Sequence, residues 1–193
     1  MISFGNKIEF ATCRVLDRQN NTFKPAEMYE FDCNNVSDIC YIKFKNPRTW
    51  DFKNYIYNDM IRKYRLKKVN KLVKLDYLRN SRYFALEDDD KNLICACETG
   101  KNKNNIEIRY ISSIEKEKYK YSAKALLVAL AKKNLKENKG TIVIPTPTPK
   151  AQSYYTKTCG FSKKDDEYIT LIHKDPEKFV EENEKRFKIN LLV

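Results

Sequence analysis

A chain of 193 residues fits a single domain, and folding at this length buries roughly 70% of the unfolded surface, so no disulfide or metal staple is required. Hydrophobic content of 41%, only four glycines and no apolar run near the ~20 residues of a membrane span place it among packed globules, outside the disordered and membrane-spanning classes. The net charge of +12 points to an acidic partner, nucleic acid or an anionic cofactor, although a Lys- and Asn-rich composition also follows from AT-rich codon usage.

The opening Met-Ile-Ser-Phe-Gly-Asn-Lys carries no apolar signal core, so a cytoplasmic protein is expected. Of the six cysteines (Cys13, Cys33, Cys40, Cys95, Cys97, Cys159) none forms a Cys-x-x-Cys pair, and the single histidine is His173. Buried reduced thiols are therefore expected, with no metal site and no histidine-activated nucleophile.

Ile8 to Leu16, Ala26 to Cys33 and Ile39 to Lys45 read as strands, so residues 1–48 form an N-terminal strand extension. Thr49 caps a helix over about Trp50 to Arg65, with Asp51 in its first turn and Phe52, Ile56, Met60 and Tyr64 at i+4 spacing. Its continuation is basic (Arg62, Lys63, Arg65, Lys67, Lys68, Lys71, Lys74), with Tyr55, Tyr57, Tyr64 and Tyr77 interleaved. Such a segment, 53–77, suits RNA phosphate contact and base stacking; a solvated face with snorkelling lysines is the plainer reading.

Arg82 to Glu87 and Asn92 to Glu98 read as strands around the acidic turn Asp88-Asp89-Asp90, and Thr99 to Asn104 as a polar turn. In the strand over 105–113, period two places Ile106, Ile108, Tyr110 and Ser112 on one face and Glu107, Arg109 and Ile111 on the other. Helical spacing then takes over near Ser122, through Ala123, Leu126, Leu127, Leu130 and Ala131. The Lys- and Tyr-rich loop between them leads into free amides at the helix start, where an anion can sit; an ordinary βα unit is the plainer reading. Thr141 to Thr146 reads as a strand, followed by a turn with Pro145, Pro147 and Pro149 and a helix over Lys150 to Thr158 that closes on Cys159-Gly160-Phe161. After a strand over Tyr168 to His173, Asp175 caps a last helix with Pro176 at its first position and Phe179, Val180, Asn183 and Phe187 inside. The tail from Ile189 to Val193 is apolar enough to pack on the core or on a partner chain, as in a homodimer.

Strand, basic loop, helix, strand, Pro-rich turn, helix and Gly-Phe in this order resemble the GNAT superfamily of acyl-CoA-dependent N-acetyltransferases over roughly residues 80–172. The resemblance implies an α/β fold: a mixed, mostly antiparallel sheet flanked by helices, whose central parallel strands (105–113 and 141–146) splay to admit acetyl-CoA. One domain over 1–193 is expected from the length, with the acetyltransferase core at 49–172 and a C-terminal helix and tail at 173–193; residues 1–48 go beyond what the resemblance supports. The family's pyrophosphate loop, Gln/Arg-x-x-Gly-x-Gly/Ala, falls on Lys118-Tyr119-Lys120-Tyr121-Ser122-Ala123. Here Lys118 replaces Gln/Arg and Tyr121 stands at the first Gly, where close phosphate approach favours glycine. Cofactor contacts are implied at Ile111, Ser112, Ser113 and from Lys118 through Tyr119, Lys120, Tyr121, Ser122 and Ala123 to Lys124.

Acetyl transfer by direct attack needs a base for the amine, a donor for the thioester oxygen and an acid for the thiolate, and no metal. The resemblance puts Glu107 as base, the Ile111 amide as donor and Tyr155 as acid; from the residues alone, Glu107 reads equally as a strand glutamate paired with Arg109, and Tyr155 as core. The acceptor is an amine. Two alternatives stand beside a small-amine or protein-lysine acceptor: an aminoacyl-tRNA acetyltransferase of the toxin type, and a non-catalytic nucleic-acid-binding module on a decayed acetyltransferase fold.

Overall fold

A computed structural model describes residues 8–31, 81–145, 147–163 and 170–192. The strand expected at 39–45, the helix over 50–65, the basic segment 53–77 and Cys33 and Cys40 lie outside these.

Five strands run as an antiparallel series: β1 (Ile8–Asp17), β2 (Thr22–Phe31), β3 (Ser81–Asp88), β4 (Leu93–Asn102) and β5 (Asn105–Ser113). β1 and β2 join through a turn held by the Asp17 carboxylate, which accepts from the Gln19 amide and the Asn20 side chain, each at 2.9 Å. Asp88 ends β3 and accepts from the Asn92 amide at 2.8 Å, closing the acidic turn. One expectation is corrected here. Thr99 to Asn102 is strand, not turn, because Thr99 pairs with Ile108, Gly100 with Glu107 and Lys101 with Ile106. A ladder with a neighbour overrides the turn preference of polar residues.

The helices are α1 (Ser122–Asn138), α2 (Pro149–Cys159) and α3 (Pro176–Phe187), and β6 (Tyr119–Lys120), β7 (Ile142–Pro145), β8 (Ser162–Lys163), β9 (Thr170–Ile172) and β10 (Asn190–Leu191) complete the described strands. The sheet order is β10-β1-β2-β3-β4-β5-β7-β9-β8, with β6 beside β1. Only β5 and β7 pair in parallel; every other described ladder is antiparallel. The mixed, mostly antiparallel sheet, with one parallel pair among the described strands, is the architecture expected. The apolar tail also packs as expected, with β10 paired to β1 and Ile189 buried.

Cap chemistry sets two helix starts. Thr148 Oγ1 accepts from the Ala151 amide at 3.3 Å with Pro149 at the first helical position, and Asp175 accepts from the Lys178 amide at 2.9 Å with Pro176 likewise. α1 lies on the sheet face that carries Cys13, Met28, Phe84, Leu86, Cys95, Cys97 and Ile108. Leu126, Leu127 and Leu130 are fully buried there, contributing ~1.5–3 kcal/mol each. α3 covers α1 and β1 with Phe179, Val180 and Phe187. The four described cysteines are buried free thiols. No described helix is long and apolar enough to cross a membrane.

His173 is buried against Phe161 (5.0 Å between ring centroids) and Phe179 (4.6 Å), with Nε2 2.9 Å from the Cys159 carbonyl oxygen. Burial lowers its pKa below the ordinary imidazole value, outweighing the Cys159 carbonyl contact, which raises it. The unfolded chain therefore takes up a proton that the folded chain refuses. The contribution is complete above the unfolded value of about 6.5 and is lost as pH falls through the lower folded value. Melting temperature is expected to drop on acidification below about pH 6.5, and His173→Gln to flatten that drop, as thermal unfolding at several pH values will show.

Candidate active site

The β5–β7 ladder contains two residue pairs, Ile106 with Ile142 and Glu107 with Val143. Beyond Glu107, β5 continues to Ser113 with only β4 as a described partner. The two strands thus part into a wedge. Its β5 wall is shaped by a bulge: Thr99 pairs with Ile108 and Glu98 with Tyr110, leaving Arg109 as the extra residue.

The bulge corrects the face assignment made by period two. Past Arg109 the alternation flips, so Ile106, Ile108, Ile111 and Ser113 oppose Lys101, Thr99, Cys97 and Cys95 on the α1 face. Glu107, Tyr110 and Ser112 share the opposite face. The amides follow the same logic. The Ile114 amide donates to the Ile94 carbonyl at 2.9 Å, so strand alternation turns the amides of Ser113 and Ile111 away from β4 and into the wedge.

The face opposite α1 is acidic and phenolic. Glu27 pairs across strands with Glu87, and Glu98 with Tyr83 and Tyr110; Glu87 and Glu98 are fully buried. Glu27 accepts from the Tyr29 hydroxyl and from Lys91. At the wedge, Arg109 Nε donates to Glu107 Oε1 at 3.2 Å. The guanidinium lies across Gly100, where a built Cβ would come within 2.4 Å of it. Only a glycine leaves Arg109 this path to Glu107.

At the head of α1, Tyr121 takes the left-handed conformation (φ 68°, ψ 11°) that a glycine would take there. Tyrosine does not exclude this conformation; it holds it at a cost of ~1–2 kcal/mol. Phe187 lies 6.4 Å from its ring and the Arg186 guanidinium 4.3 Å. Lys120 and then Arg186 lower the phenol's pKa. Tyr121 supplies no side-chain cap, and the first helical bond runs from the Ala125 amide to the Tyr121 carbonyl, 2.9 Å. The amides of Ser122, Ala123 and Lys124 precede that bond and point out of the helix start. Ser122 Oγ donates to Ser113 Oγ at 3.0 Å, tying the helix start to the end of β5.

These elements match a known architecture. A GNAT-family protein from Desulfovibrio desulfuricans superposes with a TM-score of 0.50 at 10% identity, covering 77% of this chain and 96% of that one. The fold is that of the GNAT acetyltransferases. A GNAT-family acetyltransferase of Staphylococcus aureus Mu50 (TM-score 0.49, 14% identity, 77% of this chain and 98% of that chain) is also similar. So is the PaiA N-acetyltransferase of Thermoplasma acidophilum, solved in complex with coenzyme A (TM-score 0.48, 16% identity, 76% and 96%). No family model matches the sequence, and no curated protein is similar to it.

On the GNAT fold the residues expected to bind the cofactor separate into three groups. Ile111, Ser112 and Ser113 lie on the part of β5 beyond its pairing with β7, and Tyr121, Ser122, Ala123 and Lys124 at the start of α1. Lys118 and Tyr119 turn the other way: the Tyr119 hydroxyl donates to Asp88 at 3.0 Å, and Lys118 Nζ lies 3.6 Å from the same carboxylate. They anchor the loop to β3, and β6 pairs it to β1. Lys120 stays exposed beside Tyr121. Lys124 donates to the Thr158 carbonyl at 3.1 Å, joining α1 to α2. Tyr155 is buried, 5.7 Å from the Phe161 ring, and burial pushes its pKa up. Sequence reasoning missed Arg186, Arg109's path over Gly100 and Asp88's anchoring role. A glycine within a strand was the one available signal, for the second of these.

Proposed function

We propose that this chain is an acyl-CoA-dependent N-acetyltransferase that moves an acetyl group from acetyl-CoA to a primary amine by direct attack. The observation that carries the reading is the β5–β7 wedge leading straight into uncapped amides at the start of α1. A wedge between strands accepts an extended pantetheine arm, and helix-start amides hold phosphate. Bound acetyl-CoA supplies the thioester.

Glu107 takes the proton from the amine, directly or through water. The Ile111 amide, directed into the wedge by the bulge, donates to the thioester oxygen as charge builds there. Tyr155 is the acid for the departing sulfur. The acidic and phenolic face around Glu107 suits a cationic acceptor, since carboxylates attract an ammonium group before it loses its proton.

Calorimetric titration with acetyl-CoA tests the reading. Micromolar binding is expected, weakened at least ~tenfold by Lys120→Glu, which reverses a charge beside the helix start. No binding up to millimolar acetyl-CoA would sink it.

A further inference from the structure

Two cations from different parts of the chain converge on one ring. Lys120 Nζ, from β6, stands 4.8 Å from the Tyr121 centroid, and the Arg186 guanidinium, from the last turn of α3, stands 4.3 Å away. Both are exposed. Among the described residues neither pairs with a carboxylate; Glu184 is taken by Lys132 (2.8 Å) and Glu182 by Lys178 (4.0 Å). Like charges held together repel, and the ring face offsets only ~0.5–1 kcal/mol for each exposed cation. The outward amides of α1 add to the same positive field. Such a cluster is completed by an anion.

The geometry also says which kind. A guanidinium 4.3 Å from the ring centroid, sharing a hydrogen bond with the phenol, still carries further N–H donors for a forked contact with phosphate oxygens. A terminal phosphate monoester carries nearly two charges at neutral pH and suits two cations, whereas each phosphate of a pyrophosphate linkage carries one and suits backbone amides. Tyr121 is what makes the arrangement possible. A glycine there would keep the backbone path and leave Lys120 and Arg186 no common surface.

We propose that Lys120 and Arg186, gathered around the Tyr121 ring, clamp the 3′-phosphate of the CoA moiety, so that the chain discriminates acyl-CoA from its 3′-dephospho form. This rests on the cofactor reading above. The test is calorimetric titration of the full chain with CoA and with dephospho-CoA, on the wild type, Arg186→Gln and Tyr121→Gly. The wild type is expected to bind CoA at least ~tenfold more tightly than dephospho-CoA. Both variants are expected to bring the ratio close to one, and Arg186→Gln to do so while affinity for dephospho-CoA is retained. Circular dichroism confirms that each variant is folded. A wild type that binds both ligands equally, or a preference untouched by Arg186→Gln, overturns the clamp and leaves the cofactor reading standing. Binding of neither ligand overturns both.

Discussion

Glu107→Gln is expected to lower turnover by ~10²–10⁴-fold, the usual weight of a general base, while the affinity for CoA stays within about twofold. The amide keeps the size of the side chain and cannot accept the amine's proton. Affinity is spared because Glu107 sits where β5 still pairs with β7, with the wedge and Ser113 between it and the helix start. Stability should hardly change. The lost ion pair to Arg109 is partly exposed at both ends, 15% and 24%, and such pairs contribute ~0–1 kcal/mol. Steady-state rates with an amine acceptor, titration with CoA and thermal melts separate the three effects. Unchanged turnover would remove Glu107 from the mechanism. A collapse of CoA affinity would show that its role lies in cofactor binding instead.

The residues explain which parts of this site were open to a reader of the sequence. α1 was legible because Leu126, Leu127 and Leu130 repeat on a helical period, and α3 because Asp175-Pro176 is a start signal that depends on neighbours alone. The strand–loop–helix order carried the GNAT resemblance because it follows from local patterns in succession. Arg109 was not legible in this way. A bulge is a mismatch between two strands, and period-two counting along one of them cannot register it. It put Ile111 on the wrong face until the pairing with Cys97 was known. Arg186 was hidden for a related reason: it lies 65 positions beyond Tyr121, and only the docking of α3 on α1 brings its guanidinium to the ring. Tyr121 misled in the opposite direction. Its side chain argued against a left-handed backbone, and contacts with Phe187 and Arg186 hold that backbone nonetheless.

Gly140→Ala is expected to cost ~3 kcal/mol or more and to abolish cofactor binding along with stability. Gly140 is buried between the end of α1 and the start of β7. A Cβ there would stand 1.8 Å from the Asn104 carbonyl oxygen, a backbone atom with no rotamer to escape into. The contact is part of a lock. Asn134 Nδ2 donates to both the Asn104 carbonyl (3.0 Å) and the Thr141 carbonyl (3.2 Å), and the Thr141 amide donates to Asn105 Oδ1 at 3.1 Å. These bonds hold the β4–β5 turn against the approach to β7. A methyl group at 140 pushes the two apart next to a parallel ladder of two residue pairs, which has little length to absorb the shift. Since the wedge opens from the end of that ladder, its geometry goes with it. Asn134→Ala is the companion variant: it removes both bonds without a clash and takes the Asn104 carbonyl's side-chain donor, while the Thr141 carbonyl keeps the Ile106 amide at 3.0 Å, at ~1–3 kcal/mol. Chemical denaturation of both variants orders the effects. If Gly140→Ala is the milder change, the close approach at Asn104 is relieved in solution and the lock is not what sets the wedge.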